Sequence, residues 1–141
     1  MQVIAANENN YILSFAHGEE LFPELISWAI DNKITGGTLT GLGASDSLEI
    51  AYYNLDQKKY ERHQILEEVE ILSLTGNLGL LKGEHVLHIH GVFGRRDLST
   101  IGGHLFQLTL SGACEIHFTA IPGPLNRAYD EQTGLNLLCK S

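Results

Sequence analysis

The sequence predicts an α+β protein, with a mixed or antiparallel twisted sheet of about seven strands and one main helix. Three observations predict it. A single stretch, residues 21–33, carries its apolar residues at helical spacing. Almost every other apolar run alternates with period two, the period of a strand. Glycine is abundant, at fifteen residues, and it clusters beside those runs, where a sheet needs tight turns and bulges. At 141 residues the chain has the size of one ordinary domain, so residues 1–141 read as a single domain with a single core.

In the helix, Glu20, Glu24, Ser27 and Asp31 form a polar stripe, and Leu21, Phe22, Leu25, Ile26, Ala29 and Ile30 cover the opposite face, with Trp28 at its edge. Acidic residues at the start suit the positive end of the helix dipole. Pro23 sits in the first turn, where backbone N–H groups have no intrahelical partner.

Residues 1–9 carry little pattern, and 11–15 is a short apolar run. Beyond the helix, strands are expected at 38–44, 48–53, 59–65, 69–75 (continuing or restarting over 78–81), 85–93, 104–110 and 113–121, with a last short one at 135–138. Residues 54–58 make a hairpin turn, 94–99 a charged loop, and Ser111-Gly112 a turn between two strands. One helix covers only part of one face of such a sheet, so some of the remaining apolar surface is expected to be buried between subunits.

The formal net charge is −8, and the nine Lys and Arg residues are scattered, with no run longer than two. Duplex DNA binding calls for clustered cations, so unaided binding is disfavoured. The opening residues carry no basic and then apolar leader pattern, and no apolar run approaches the roughly 20 residues that span a bilayer. Cys114 and Cys139 form no C-x-x-C pair. A cytoplasmic protein with reduced thiols is the expectation, though a disulfide between the two is compatible with the sequence.

Chemistry concentrates in E-H-V-L-H-I-H-G-V, residues 84–92, and in Gly102-Gly103-His104. His88 and His90 leave the same face of one strand, because positions i and i+2 do. His104 opens a neighbouring strand about 4.8 Å away. Three imidazoles brought together there make a zinc-type site with an open fourth position for water, an anion or a group from another subunit; copper or nickel would also bind. Hydrogen-bonded histidines lining a polar seam are the plainer alternative. His85 points to the other face, and His17, His63 and His117 read as ordinary surface or core residues. Gly102 and Gly103 permit close backbone approach or a positive φ. Glu70 and Glu115 sit inside apolar strands and either pair, with Arg127 as a candidate partner, or face solvent. Ser73 has no recognisable base beside it, and Arg95, Arg96 and Asp97 read as a solvated loop. No residue can be assigned as catalytic.

Several of these stretches occur together in one order: G-E before the helix, G-L-G-A at 41–44, V-E-I-L-S-L-T-G-N at 69–77, H-I-H at 88–90, G-G-H at 102–104 and T-G-L-N-L-L at 133–138. In that order they resemble the "plants and prokaryotes conserved" (PPC) domain in its standalone prokaryotic form, over nearly the whole chain. The resemblance implies an α+β fold assembled as a homotrimer. It also implies a metal site on the three histidines that correspond to His88, His90 and His104. The plant relatives are nuclear and linked to transcription, and use a separate R-G-R-P-like AT-hook arm that this sequence lacks. The expectation is therefore a trimeric regulatory module carrying zinc, touching DNA weakly or through a partner protein, with a small molecule or anion at the metal. The alternative is a zinc-dependent hydrolase whose metal-bound water attacks a small substrate.

Overall fold

The structure is a computed structural model that describes residues 1–140. Its elements run β1 (Gln2–Asn7), β2 (Asn10–Phe15), α1 (Leu21–Asp31), β3 (Gly37–Asn54), β4 (Lys59–Ile65), β5 (Val69–Leu81), β6 (Glu84–Gly94), β7 (Thr100–Ala120), β8 (Asn126–Asp130) and β9 (Leu135–Leu138). The expected mostly-strand mixed sheet with one helix is present. Among the described residues the sheet has nine strands rather than about seven.

Two of the additional strands lack the alternation that marks a strand in sequence. Every residue of β1 is exposed, because it is a sheet edge pairing only with β2. Strand β8 is short, follows the 122–124 Pro-Gly-Pro turn, and has the only parallel pairing among the described strands, through Leu80 and Leu81 of β5.

Elsewhere, expected breaks are continuous strand. Residues 38–53 and 69–81 each form one strand. The Ser111-Gly112 turn is absent: β7 runs through it, and register shifts from Gly43↔Cys114 to Ser45↔Leu110. Extra residues of β7 thus oppose Ala44, so these two small polar positions serve a bulge rather than a reversal.

The sheet closes on itself. Strand β3 pairs with β5, β5 with β6, β6 with β7, and β7 again with β3. One register row makes this plain: His117 of β7 faces Thr40 of β3, which faces Thr75 of β5, then His90 of β6, then His104 of β7. Such closure removes most free strand edges.

The core lies inside this curve and under α1. Leu13, Phe15, Leu39, Leu74, Leu78, Ile89, Phe93, Leu105, Leu108, Ile116 and Phe118 meet Leu21, Leu25, Trp28 and Ala29 of the helix. Trp28 belongs to this core, with its ring edge-on to Tyr11 and Phe118, whereas Ile30 is exposed. The helical stripe is thus rotated slightly from the one read in sequence. Cys114 and Cys139 are free thiols, one buried and one exposed. Burial pushes the Cys114 thiol up to about 12, with Glu115 adding to the shift.

Candidate metal centre

The site begins with alternation. Ile89 and Leu105 are buried in the core, so their neighbours His88, His90 and His104 leave the opposite face of the sheet. His90 and His104 are direct cross-strand partners, and His88 is one step along β6. The ring centroids form a nearly equilateral triangle, 5.1 Å between His88 and His90, 5.0 Å between His88 and His104, and 5.2 Å between His90 and His104. One nitrogen from each ring lies within 4.8 Å of the others, and Nε2 of His88 is 3.2 Å from Nε2 of His90.

Glycines allow the strands to come this close. A Cβ on Gly102 would lie 2.7 Å from the Gly91 carbonyl oxygen, and one on Gly103 would lie 2.7 Å from that of Ala51. Neither glycine has a positive φ, so close approach is the reason for the pair. Gly76 serves the same end behind His88, where a Cβ would sit 2.4 Å from the His88 carbonyl oxygen.

Two hairpins wall the cluster. The β3–β4 hairpin supplies the cross-strand pair Tyr53 and Tyr60. Tyr60 lies 4.7 Å from the His104 ring and Phe106, with Arg62 over its face, lies 4.6 Å from it, the Tyr60 and Phe106 rings being 4.9 Å apart so that the three form one cluster. The β8–β9 hairpin supplies Arg127 and Asn136. Together they enclose a cleft of about 690 Å³ with His88, His90 and His104 in its lining.

The electrostatics favour the neutral form of His88 and His104. Burial, the neighbouring His88 and His90, and Arg62 and Arg127 pull His104 down to about 4. Burial, then Arg127 and His90, lower His88 as well. A neutral ring keeps the lone pair that a metal needs. In addition, Nδ1 of His104 is buried with no hydrogen-bond partner among the described residues. Buried polar atoms are rarely left so, and an ion or ordered water would satisfy it. The donor set therefore fits a divalent metal.

The other residues singled out in sequence fall away from this site. His85 meets the Ile34 carbonyl oxygen at 2.9 Å on the opposite face, and His17 meets that of Ser111. His63 is exposed on β4. His117 is exposed but borders a second groove that His88 and His90 also line, beyond the cleft. Ser73, Glu70 and Glu115 are exposed, and the two carboxylates line a shallow depression with Leu42 and Ile71.

Arg127 pairs with neither carboxylate. Its Nη2 donates to Oδ1 of Asn77 at 2.5 Å and approaches Nδ1 of His88 at 3.4 Å, and its Nη1 donates to the Asn136 carbonyl oxygen at 2.8 Å. Arg127, Tyr60 and Asn77 border the site although sequence reading assigned none of them to it: Asn77 only closed the 69–77 motif and Arg127 was only a candidate carboxylate partner. Arg127 follows a turn and has no local signal; only the cross-strand facing of Asn77 and His88 places Asn77 there.

The fold and site define a strand-rich α+β protein with a three-imidazole cluster facing a half-open cleft. The model of the Plants and Prokaryotes Conserved (PCC) domain, the PPC family, matches residues 3–122, and the chain belongs to this family. It is similar to a metal-containing protein from Archaeoglobus fulgidus, at 31% identity and a TM-score of 0.88, covering 99% of this chain and 100% of that one. It is also similar to a candidate DNA-binding protein from Bacteroides thetaiotaomicron, at 30% identity and a TM-score of 0.91, covering 96% and 94% of the two chains. A plant- and prokaryote-conserved (PPC) protein from Pyrococcus horikoshii shares the fold, at 24% identity and a TM-score of 0.87, covering 95% and 93%. No curated protein matches the chain.

Proposed function

We propose that this chain is a metal-carrying PPC module in which His88, His90 and His104 hold zinc and leave a coordination position open to the cleft. The observation that carries the reading is the convergence of three imidazole nitrogens within 4.8 Å of one another on the cleft wall. The metal content of the Archaeoglobus fulgidus relative supports it. Zinc suits three neutral imidazoles, and would supply a Lewis-acidic centre facing the cleft.

Within this reading the module is regulatory rather than hydrolytic. A hydrolase needs a proton-transfer group beside the metal-bound water. No Asp or Glu lines the cleft among the described residues. Burial, with Tyr53 nearby, raises Tyr60 above its usual 10, so at neutral pH it is a hydrogen-bond donor and not a base. The module assembles as a homotrimer, its exposed Leu42, Leu72 and Val92 being the kind of apolar surface that a neighbouring subunit covers. Candidate DNA binding in the Bacteroides relative extends here as association through a partner, since the net charge is −8.

Metal analysis after chelator-free purification, followed by zinc titration, tests the central point. One zinc per chain is expected; no metal and no uptake would reduce the cluster to a hydrogen-bonded seam. Sedimentation as a stable monomer at micromolar concentration would remove the trimer. A gel-shift titration is expected to show only weak duplex binding, and nanomolar sequence-specific binding would overturn the charge argument.

A further inference from the structure

We infer that the cleft takes a small organic oxyanion with an apolar body, gripped at its carboxylate or phosphate group by Arg127. The inference rests on the reading of this cleft as the functional site and gives it a ligand class.

The charge pattern comes first. The chain is acidic overall, at −8, yet the described residues lining this cleft include Lys58, Lys59 and Arg127 and no carboxylate. A cleft of one sign on a protein of the other concentrates ligands of the opposite charge. Arg127 itself is half-buried and makes no ion pair among the described residues. Its polar partners among the described residues are the neutral Asn77 and Asn136 and the ring of His88, and its Nε is buried with no partner among them. A desolvated guanidinium is costly unless a counter-charge meets it. The planar fork of an arginine matches a carboxylate or phosphate better than it matches the neutral groups around it.

The body of the ligand is set by the walls: Tyr53, Tyr60, Val86, Leu87, Leu135 and Leu137 present rings and aliphatic surface around the charged end.

Benzoate, phenyl phosphate and the neutral isostere benzamide are suitable probes. Each is titrated into the ¹⁵N-labelled protein, metal-free after chelator treatment and again zinc-loaded, with NMR shifts of the Arg127 Nε–H and the 134–137 amides as readout. The two acids are expected to bind at least tenfold more tightly than benzamide in both forms, and Arg127→Gln is expected to bring them down to the benzamide level. Arg127→Lys, which keeps charge and loses the fork, should fall between. If either variant fails to fold, the wild-type comparison of acid with amide and the Arg127 signal still decide. Equal binding of all three probes, no binding, or acid binding seen only with zinc and unchanged in Arg127→Gln would each overturn the inference. A protein that takes up no zinc yet binds the acids through Arg127 would uphold it while removing the metal reading.

Discussion

Two parts of the sheet carry ionisable side chains between apolar neighbours, and they turn out differently. On β6 and β7, His88, His90 and His104 converge under the β3–β4 and β8–β9 hairpins. On β5 and the far half of β7, Glu70 and Glu115 face outward in a shallow depression beside Leu42. Local sequence looks alike in the two places, a polar residue alternating with core residues. What separates them is cover. The hairpins and Arg127 remove water from His88 and His104, which lowers both, whereas the carboxylates, like His90 at the rim, stay exposed. Alternation decides which face a side chain leaves; the elements folded over that face decide whether it becomes a site.

The sharpest way to break this comparison is to remove side chains from each part. His88→Ala, His90→Ala and His104→Ala are each expected to lower zinc affinity by at least ~100-fold, since each removes one of three ligands. Glu70→Ala, Glu115→Ala and the exposed His63→Ala should leave zinc uptake unchanged. Competition against a chromogenic chelator measures all of these, and comparable losses from the glutamate variants would abolish the distinction.

A second test uses two glycines of the same strand. At Gly103 an added Cβ meets the Ala51 carbonyl oxygen at 2.7 Å, while at Gly112 its nearest neighbour is the Ala44 Cβ at 3.5 Å, an ordinary contact. Gly103→Ala should cost about 1–3 kcal/mol, the usual size of overpacking, and weaken zinc binding by pushing β7, and His104 with it, away from β3. Gly112→Ala, in the bulge, should change stability by under ~0.5 kcal/mol. Urea unfolding compares them directly, and equal effects would show that close strand approach is not what the glycine pair provides.

The smallest expected effect is in pH. Unfolded, His104 takes a proton near its usual 6.5; folded, it resists protonation down to about 4. Between those values the unfolded chain binds more protons, so the metal-free protein should lose stability as pH falls through that window. His88, also lowered, adds in the same direction. His104→Asn should flatten the dependence measured by urea midpoints between pH 7 and pH 4.5. An unchanged slope would mean that the cleft does not desolvate the ring.

Sequence alone gave the class of fold, the helix, and the convergence of the three histidines, because each is written in local periodicity: 3.6 for residues 21–33, of which Leu21–Asp31 form the helix, two for the strands, and an i, i+2 pair beside a glycine pair. The metal-type triangle followed from one cross-strand neighbour. Tertiary structure decided the rest. Strand β1 is exposed on all its residues and β8 is held by a parallel edge pairing, so neither bears an alternating pattern. The Ser111-Gly112 turn became a bulge because β7 stays paired to β3 on both sides of it. Charge reasoning left Glu70 and Glu115 either paired, with Arg127 as a candidate, or facing solvent; they face solvent, and the pairing of β8 with β5 carries Arg127 to Asn77 and His88. A side chain's partners depend on which distant strands lie beside it, and that is set by the closure of the sheet rather than by the residues adjoining it in the chain.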